Sequence, residues 1–528
     1  MSLDEQAAQL DRKGIVELLA SRQQLTQSVA DLAARNETLT RQLEWFKRQL
    51  FGPKSERRPE LSEIRQSFLG EWAADRPNTG GPTITVPEHR RRAGVRRDDQ
   101  ESEDGELRFD PSVPVEEIRV PTPKPADGAY EVIGQKTTHR LAQRPGTYVV
   151  LKYVREVIKR REDGRLSCTP APAAVLGKSI ADVSLLAGLV IDKFRYHLPL
   201  YRQHQRMEAA GIRLARSTLT SLVHRTADLL APIYQAQLAS VRTSRVLAMD
   251  ETPIKAGRRG RRKMHTAYFW PVYGDRDEVV FPFSPTRAGT TVHEILGQYS
   301  GVLLTDGYAA YDSYAATVRT VVHAQCWGHG RRQFLQAEAI EPELTVLALE
   351  FIRRLYEAEA RLRKKSLDDA PLLEARATHC KPIVDEFFAW LPKVLQERVL
   401  LPSNPFTEAA HYALEREARL RVFLAYPGVP IDTNHLEREI RPIALGRKNW
   451  MFCWTEVGAK YVGILQSLLT TCRLQGVDPY TYLVDVLQRV DSHPAGDVAK
   501  LTPRLWKEHY AADPLRSDID RLDKNSVS

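Results

Sequence analysis

The sequence contains few cysteines and no long apolar run. Its five cysteines are scattered over 528 residues without any C-x-x-C pair, which excludes a disulfide framework and is typical of a reducing compartment. No apolar stretch approaches the roughly 18 residues of a membrane span, and the N-terminal residues lack the hydrophobic region of a secretory signal. We therefore expect a soluble, cytoplasmic protein with no membrane partner.

Acidic residues are also in deficit. The chain has 67 Asp and Glu against 76 Lys and Arg, a formal net charge of +9, and this balance favours a polyanionic partner. The hydrophobic content of 42% is typical of a globular protein. Because one hydrophobic core rarely grows beyond about 250 to 300 residues, we expect several folded domains.

Two short apolar runs end in an aspartate. Residues 246–249 precede Asp250, and residues 302–305 precede Asp306. A strand that is apolar on both faces belongs inside a sheet, so a carboxylate at its end is either a cap for the next turn or a metal ligand. Two such aspartates, with a candidate third carboxylate downstream, favour a metal site.

The elements around these aspartates predict a sheet with a defined strand order. Three antiparallel strands followed by right-handed crossovers would place the strands carrying Asp250 and Asp306 side by side. This is the succession of the ribonuclease H-like fold, and a helical pattern over 340–425 interrupts it, so the fold class is α/β with a helical insertion. The predicted elements are strands 246–254, 264–273, 278–284, 302–305 and 320–326, and helices at about 290–299, near Tyr311 and from His329.

The N-terminal region has the pattern of a coiled coil. From Ile15 to Leu50 apolar residues recur at steps of three and four, with leucines at the d positions and Asn36 at one a position. This pattern favours a parallel two-stranded coil, so we predict a homodimer or higher oligomer. The alternative is a helix that packs on its own protein. Arginine-rich, aliphatic-poor sequence follows and predicts a flexible basic linker.

Two further regions lie before the first aspartate. Residues 113–168 alternate as strands, with Asp163 and Gly164 as a hairpin turn, and predict a small β module. Helices over 200–210 and 217–230, separated at Gly211 and capped by Ser217, predict a helix-turn-helix. The alternative is a helical hairpin that binds nothing. The residues predicted to contact DNA here are Arg202, Arg206, Arg213, Arg216, Ser217 and Thr218.

A run of cations begins five residues after Asp250. Its members are Lys255, Arg258, Arg259, Arg261, Arg262 and Lys263. A charge run is usually a solvated loop, but this one lies next to a candidate catalytic aspartate, so a phosphate-binding role is the alternative interpretation.

The third carboxylate has several candidates. Asp432 or Asn434 can cap a helix on which Glu437 and Arg441 share a face, although a salt-bridged surface helix would give the same pattern. Glu251 would point away from Asp250 if the strand continued, and Glu439 lies about 200° round the helix from Glu437. Glu437 is therefore preferred, and Asp312 is interpreted as a surface residue.

Several motifs in fixed order resemble transposases of the insertion sequence 66 family. They are Asp250-Glu251-Thr252, Asp306-Gly307-Tyr308, Cys326-Trp327-Gly328-His329 with Arg331 and Arg332, Asn434-His435-Leu436-Glu437-Arg438, Arg441-Pro442, Gly446-Arg447-Lys448-Asn449-Trp450, and the basic segment after the coiled coil. The resemblance covers most of the chain.

The resemblance implies an Asp-Asp-Glu transposase. Asp250, Asp306 and Glu437 would be both catalytic residues and ligands of two Mg²⁺ ions, with Mn²⁺ as a substitute. The partners would be the terminal repeats of the element, target DNA and small element-encoded accessory proteins, in a bacterial, nucleoid-associated setting. Further predicted DNA contacts are Arg331, Arg332, Arg438, Arg441, Arg447 and Lys448.

One departure from the family concerns zinc. Its members commonly carry a cysteine-rich, zinc-finger-like module before the helix-turn-helix, but the equivalent stretch here has only Cys168, whereas a structural zinc site needs four ligands. Cys326, His323 and His329 are interpreted as packing and hydrogen-bonding residues rather than a zinc site.

Two rival functions share these residues. The first is a ribonuclease H-like nuclease or resolvase that cuts without joining, and the second is a catalytically dead, dimeric DNA-binding regulator. The predicted domains are 1–58 coiled coil, 59–112 linker, 113–175 β module, 176–240 helix-turn-helix region, 241–340 first part of the core, 341–428 helical insertion, 429–475 second part of the core with the Glu437 helix, and 476–528 C-terminal helical region and tail.

Deleting residues 1–50 should lower the oligomeric state, because the heptad seam would be lost. Analytical ultracentrifugation of the shortened and full-length proteins at equal concentration measures this. An unchanged sedimentation coefficient distribution, apart from the smaller mass, would refute the coiled coil.

Overall fold

A computed structural model describes residues 107–124, 130–144, 146–177, 179–259, 263–397, 400–450 and 453–525. They form a mixed α/β structure, in agreement with the predicted class. The predicted coiled coil, and the predicted linker up to residue 106, lie outside the described residues. Among the helices that are described, none combines the length and apolar character that a membrane crossing requires.

The N-terminal described part is a small antiparallel and parallel β module. Strand β4 (Thr147–Arg160) lies between β2 (Val115–Val120), which is parallel to it, and β3 (Tyr130–Arg144), which is antiparallel. Strand β5 (Leu166–Cys168) also pairs with β4. Gly164 has a φ of 68° in the turn that joins β4 to β5, as predicted for the Asp163–Gly164 turn. The strands are β1 (Arg108–Phe109), β2 (Val115–Val120), β3 (Tyr130–Arg144), β4 (Thr147–Arg160) and β5 (Leu166–Cys168).

Three helices follow: α1 (Val183–Phe194), α2 (Leu200–Ala209) and α3 (Arg216–Arg242). Between α2 and α3, Gly211 has a φ of 81°, which favours glycine, and β6 (Ile212–Arg213) pairs with β1. The predicted Ser217 cap is wrong. The helix begins at Arg216 after an extended Ala215, so Ser217 already lies in its first turn.

The central region alternates strands and helices. Its elements are β7 (Val246–Met249), β8 (Thr252–Arg259), β9 (Lys263–Phe269), β10 (Val272–Gly274), β11 (Glu278–Val280), β12 (Phe283–Ser284), α4 (Thr290–Leu296), β13 (Gly301–Thr305), α5 (Ala309–Thr317), β14 (Val321–Gln325) and α6 (Trp327–Gln336).

Five of these strands form one sheet in the order β11-β10-β7-β13-β14. Strand β10 is antiparallel to both β7 and β11, whereas β13 is parallel to both β7 and β14. The register pairs Leu303 with Leu247 and Leu304 with Ala248. Because β7 and β13 run in the same direction, their carboxyl ends meet at one edge, as predicted for the strands preceding Asp250 and Asp306.

The predicted single strand 246–254 is wrong, because it is broken at residues 250–251 and β8 pairs with β9 in a second sheet of order β12-β9-β8. The antiparallel pairing predicted for the hairpin of 264–273 with 278–284 is confirmed, with Gly274 opposite Glu278 and Phe269 opposite Phe283. Both of its strands are interrupted, however, so the hairpin is divided between the two sheets. Pro271 lies at this division, where its missing N–H cannot join a strand ladder, and its carbonyl accepts from the Asp250 N–H at 3.3 Å.

A helical insertion separates the sheet from the last part of the chain, as the sequence pattern predicts. Its core is aromatic, with Trp327 and Phe334 of α6 packing on Phe387. The helices are α7 (Pro342–Lys364), α8 (Asp369–His379), α9 (Lys381–Glu397), α10 (Pro405–Leu414) and α11 (Glu417–Leu420), followed by a 3-10 turn at Val422–Leu424.

The chain then returns to the sheet. Helix α13 lies along β11, where Thr471 Oγ1 accepts from the Val279 N–H at 3.1 Å and Ser467 Oγ accepts from the Phe281 N–H at 2.9 Å. These hydroxyls satisfy backbone donors that a sheet edge would otherwise leave unpaired. The elements are α12 (Asn434–Trp450), α13 (Glu456–Leu474), α14 (Pro479–Arg489), a 3-10 segment (Ala495–Leu501), α15 (Pro503–His509) and α16 (Asp518–Asn525).

A buried arginine joins the insertion to this return segment. Arg376 of α8 forms a two-armed ion pair with Glu359 of α7, with both N–O distances at 2.9 Å. Its guanidinium also donates to the carbonyls of Phe423, at 2.7 Å, and Val429, at 3.0 Å. A buried ion pair stays favourable only when its remaining donors are satisfied, and here the backbone leading into α12 satisfies them.

Replacing Arg376 with Gln should destabilise the insertion by about 3 to 5 kcal/mol, because Glu359 would remain buried without its partner. Hydrogen exchange of peptides covering residues 420–433 should accelerate together with a fall in the thermal midpoint. Arg361→Gln on α7 is the control, since Arg361 is 78% exposed and should change stability by less than about 0.5 kcal/mol. Unchanged hydrogen exchange in Arg376→Gln would contradict the role of Arg376 in holding the insertion to the return segment.

Candidate active site

Three carboxylates meet where β7 and β13 end. One oxygen each from Asp250, Glu251 and Asp306 lie within 4.8 Å of one another. Asp250 directly follows β7 and Asp306 directly follows β13, so the parallel pairing of these strands brings the two aspartates together. The metal-site interpretation of the two strand ends thus has the geometry that it requires.

The two aspartates are held in the same way. The Glu251 N–H donates to Asp250 Oδ1 at 2.7 Å, and the Tyr308 N–H donates to Asp306 Oδ1 at 2.9 Å. Within the described part of the chain no hydrogen bond reaches the Oδ2 atom of either residue. Each aspartate therefore presents one oriented oxygen that is available to a ligand.

Burial and crowding make this cluster unfavourable for negative charge. Burial, together with the charges of Glu251, Asp306 and Glu437, raises the pKa of Asp250 to about 8, although the hydrogen bond from the Glu251 backbone lowers it. A divalent cation would relieve both the repulsion and the desolvation. Because carboxylate oxygens are the ligands that Mg²⁺ and Mn²⁺ prefer, the residues present fit such an ion.

Glu251 belongs to the cluster, contrary to the expectation that it points away. That expectation requires a continuous strand, and the chain turns at residues 250–251 instead. Glu251 Oε1 accepts from Arg287 Nε at 2.9 Å, and Glu251 Oε2 accepts from the Tyr311 hydroxyl at 2.8 Å. Burial raises the pKa of Glu251 whereas these two hydrogen bonds lower it. Both of its oxygens are thus already occupied.

Glu437 lies beside the cluster rather than inside the 4.8 Å group. It is in the first turn of α12, with Oε1 3.5 Å from Arg332 Nη2 and 4.0 Å from His329 Nε2. Its charge contributes to the raised pKa of Asp250. Glu439 is buried and paired with Arg473, so the two glutamates differ as the helical spacing predicts.

The start of α12 is tied to the end of β14. Cys326 Sγ accepts from both the N–H and the hydroxyl of Thr433 at 3.3 Å, and Asp432 Oδ1 accepts from the Asn434 N–H at 3.1 Å. Asp432 is therefore the residue that caps this helix. These contacts fix the position of the first turn, which carries Glu437.

The residues considered for zinc have other partners. His323 Nε2 lies 2.9 Å from Thr305 Oγ1, and His323 Nδ1 lies 3.3 Å from Asp312 Oδ1. Cys326, His323 and His329 form no group with metal-ligand spacing among the described residues. Asp312, interpreted as a surface residue, is half-buried and pairs with Arg419 at 2.7 Å.

The insertion covers the chain after Asp306. A Cβ atom on Gly307 would lie 2.8 Å from the Tyr412 hydroxyl and 3.2 Å from Arg416 Nε. Any larger residue at this position would require the Tyr412 side chain to shift. The backbone that orients Asp306 is therefore in direct contact with the insertion.

The predicted DNA contacts of the α2–α3 region fall into two groups. Arg206 pairs with Asp192 and donates to the Tyr148 hydroxyl at 2.8 Å, so it has partners inside the protein. Arg213 lies 3.3 Å from Asp110, and the Arg216 guanidinium lies 4.7 Å from the centre of the Tyr201 ring. Arg202 and Ser217 are exposed, and Thr218 is half-buried.

The remaining predicted contacts lie in the segment 255–263, in α6 and in α12. Lys255 Nζ donates to Thr266 Oγ1 at 2.6 Å, and Arg447 reaches the Pro253 carbonyl. Arg332 lies beside Glu437. The side chains of Arg258, Arg259 and Lys263, and the whole of Arg261 and Arg262, lie outside the described residues. The described members of this group that are exposed are Lys255, Arg331, Arg332, Arg438, Arg441 and Lys448.

Arg287 and Tyr311 are site residues that the sequence patterns missed. Each contacts Glu251, but neither belongs to a charge run or to the quoted motifs. Tyr308 does belong to the Asp306-Gly307-Tyr308 motif, and its ring lies 4.0 Å from the Arg287 guanidinium. Tyr308 is therefore one of the residues around Arg287 that a sequence motif indicates.

Comparisons with known proteins agree with this architecture. A profile of the family described as "Transposase IS66 family" matches residues 178–461, and one described as "IS66 C-terminal element" matches residues 467–504. Two similar proteins of Sinorhizobium fredii are described as uncharacterized proteins y4hP and y4jD. They are 31% and 30% identical over 407 and 398 residues, which is 72% of this chain in both cases and 72% and 77% of theirs. The chain therefore belongs to the IS66 family of transposases.

Proposed function

We propose that this transposase cleaves phosphodiester bonds at the ends of its element and joins those ends to target DNA, with Asp250, Asp306 and Glu437 as the ligands of two Mg²⁺ ions. The observation that carries the proposal is the pair of oriented aspartates at the carboxyl ends of two adjacent parallel strands. The sheet order β11-β10-β7-β13-β14, with three antiparallel strands and two parallel ones, supports a ribonuclease H-like core.

The role of the protein is to hold charges in fixed positions. Bound metal ions would activate the attacking oxygen and stabilise the leaving oxygen of the phosphodiester. Asp250 and Asp306 would present their Oδ2 atoms, since their Oδ1 atoms are engaged by backbone N–H groups. Glu437 would approach from α12, and Arg332 and His329 beside it would restrain its carboxylate until it binds a cation.

Cationic surfaces would place DNA over this site. The α2–α3 face presents Arg202, Arg216, Ser217 and Thr218, which are suited to phosphate contacts. The cation-rich hairpin joining β8 to β9 begins directly after the Asp250 turn and would contact DNA close to the scissile bond. Self-association through the N-terminal region would bring two element ends together, with small accessory proteins as further partners.

Replacing Asp250 with Asn, or Glu437 with Gln, should lower cleavage by at least about 100-fold, because each removes a charged metal ligand. The substrate is a plasmid carrying the DNA that flanks this gene, incubated with the full chain and Mg²⁺. Glu439→Gln is the comparison on the same helix, and its rate per folded molecule should stay within about threefold of the unmodified protein. The folded fraction is measured by circular dichroism, because Glu439 is buried and paired with Arg473. Equal loss in Glu437→Gln and Glu439→Gln would refute the choice of Glu437.

Joining is tested separately from cutting. Labelled, pre-cleaved ends should be transferred into a supercoiled target by the unmodified protein, and this product should be absent with Asp250→Asn. Cleavage without any joined product would support a nuclease or resolvase instead.

Without metal, the Asp250→Asn protein should be the more stable one at alkaline pH. The folded pKa of Asp250 is about 8 and an unfolded aspartate titrates near 3.9, so the folded state binds more protons between these values and loses stability as pH rises through them. The variant lacks this loss and should have the higher thermal midpoint at pH 8 in EDTA, whereas the two proteins should differ less at pH 5.

Thermal unfolding between pH 5 and pH 9, with EDTA or with Mg²⁺, measures this difference. Magnesium should raise the midpoint of the unmodified protein and leave that of Asp250→Asn almost unchanged. Asp385→Asn is the control, since its pKa is lowered by Lys381 and Arg421 and its removal should stabilise nothing. A magnesium shift of equal size in Asp250→Asn would exclude Asp250 as a ligand.

A further inference from the structure

A guanidinium is fixed beside the carboxylate cluster by the chain segments that follow both aspartates. Arg287, in the loop between β12 and α4, donates Nε–H to Glu251 Oε1 at 2.9 Å, and its Nη2 reaches the same oxygen. The guanidinium lies over the Tyr308 ring, 4.0 Å from its centre. The Tyr308 hydroxyl in turn donates to the Arg287 carbonyl at 2.7 Å.

Both carboxylate oxygens of Glu251 accept hydrogen bonds from neighbouring side chains. Its side chain is 5% exposed, and its second oxygen accepts from the Tyr311 hydroxyl at 2.8 Å. Tyr311 is itself buried and packs edge-on against Trp270. Asp250 and Asp306 keep one oxygen free, but Glu251 does not, so Glu251 positions Arg287 rather than completing the metal site.

Arg287 retains the capacity to bind a ligand from outside the protein. Its side chain is 45% exposed, and no hydrogen bond from the described residues reaches its Nη1. A guanidinium matches the geometry of a phosphate and stays charged at every physiological pH. Because Glu251 lies within 4.8 Å of Asp250 and Asp306, the cation stands next to the place where a phosphodiester would be cut.

We propose that Arg287 contacts a non-bridging oxygen of the DNA phosphate that is cleaved, and that Glu251, Tyr308 and Tyr311 hold it in position for this contact. A phosphodiester gains negative charge on its oxygens as it reacts, and a fixed cation at that point stabilises the charge without reorganisation. The inference rests on the proposed function. A purely structural role, in which Arg287 serves only to neutralise Glu251, makes a different prediction for paired variants.

The discriminating experiment compares Arg287→Gln, Glu251→Gln and the double variant in single-turnover cleavage of the flanking-DNA plasmid. We expect Arg287→Gln to slow cleavage by about 10- to 100-fold and the double variant to be as slow. If Arg287 only neutralises Glu251, removing both charges should restore the rate, since no unpaired carboxylate would remain. A restored rate overturns the proposal.

A binding measurement adds a readout that a structural role would not change. In the Asp250→Asn background, where the DNA stays intact, Arg287→Gln should lower the slope of log affinity against log salt for a 30-base-pair duplex by about one. Arg353→Gln is the matched control, because Arg353 is also an exposed arginine paired with glutamates but belongs to α7. An unchanged slope with Arg287→Gln overturns the contact.

The variant Arg287→Lys distinguishes loss of the phosphate contact from loss of folding, because lysine keeps the positive charge but lacks the planar guanidinium. It should keep the thermal midpoint of the unmodified protein and still cleave at least about fivefold more slowly. Absence of Asp250-dependent cleavage by the unmodified protein would overturn the proposed function and this inference together. Normal cleavage by both Arg287 variants would overturn the Arg287 assignment alone.

Discussion

The parallel pairing of β7 with β13 is the constraint on which the site depends. Hydrogen bonds between these strands align Leu303 with Leu247, and the alignment places the next polar residues of both strands at one edge. A shift of one residue would turn every side chain of a strand to the other face. The apolar, mostly buried character of both strands prevents such a shift and thereby fixes the distance between Asp250 and Asp306.

The consequence of this placement is a concentration of negative charge in a poorly solvated position. The surrounding residues neutralise one of these carboxylates and leave another uncompensated. Glu251 is neutralised by Arg287 and held by Tyr311, whereas Asp250 remains uncompensated and has a raised pKa. Active sites store unfavourable interactions of this kind when the ligand relieves them. Under the proposed function, a cation would therefore bind at Asp250, whose charge is uncompensated, and not at Glu251, whose charge Arg287 neutralises.

The sequence alone predicted the two strand ends and their adjacency because both depend on local pattern. Apolar runs ending at Asp250 and Asp306, and the order of strands and helices between them, were sufficient. The break after Asp250 could not be predicted, since Thr252–Arg259 is as strand-like as the run before it and only the pairing with β9 decides its sheet. For the same reason Glu251 was placed on the wrong side. Arg287 was missed because a single arginine in a loop carries no periodicity, and its role follows from contacts distant in sequence.

Glu437 is separated from Asp306 by 131 positions (437 − 306), and the backbone that delivers it is held by Arg376 from the middle of the insertion. This arrangement has a consequence for protein synthesis. During synthesis both aspartates leave the ribosome long before Glu437 does, and the segment that carries Glu437 is not held in place until α8 has folded. Under the proposed function, DNA cleavage would therefore require a chain that has been synthesised at least through α12.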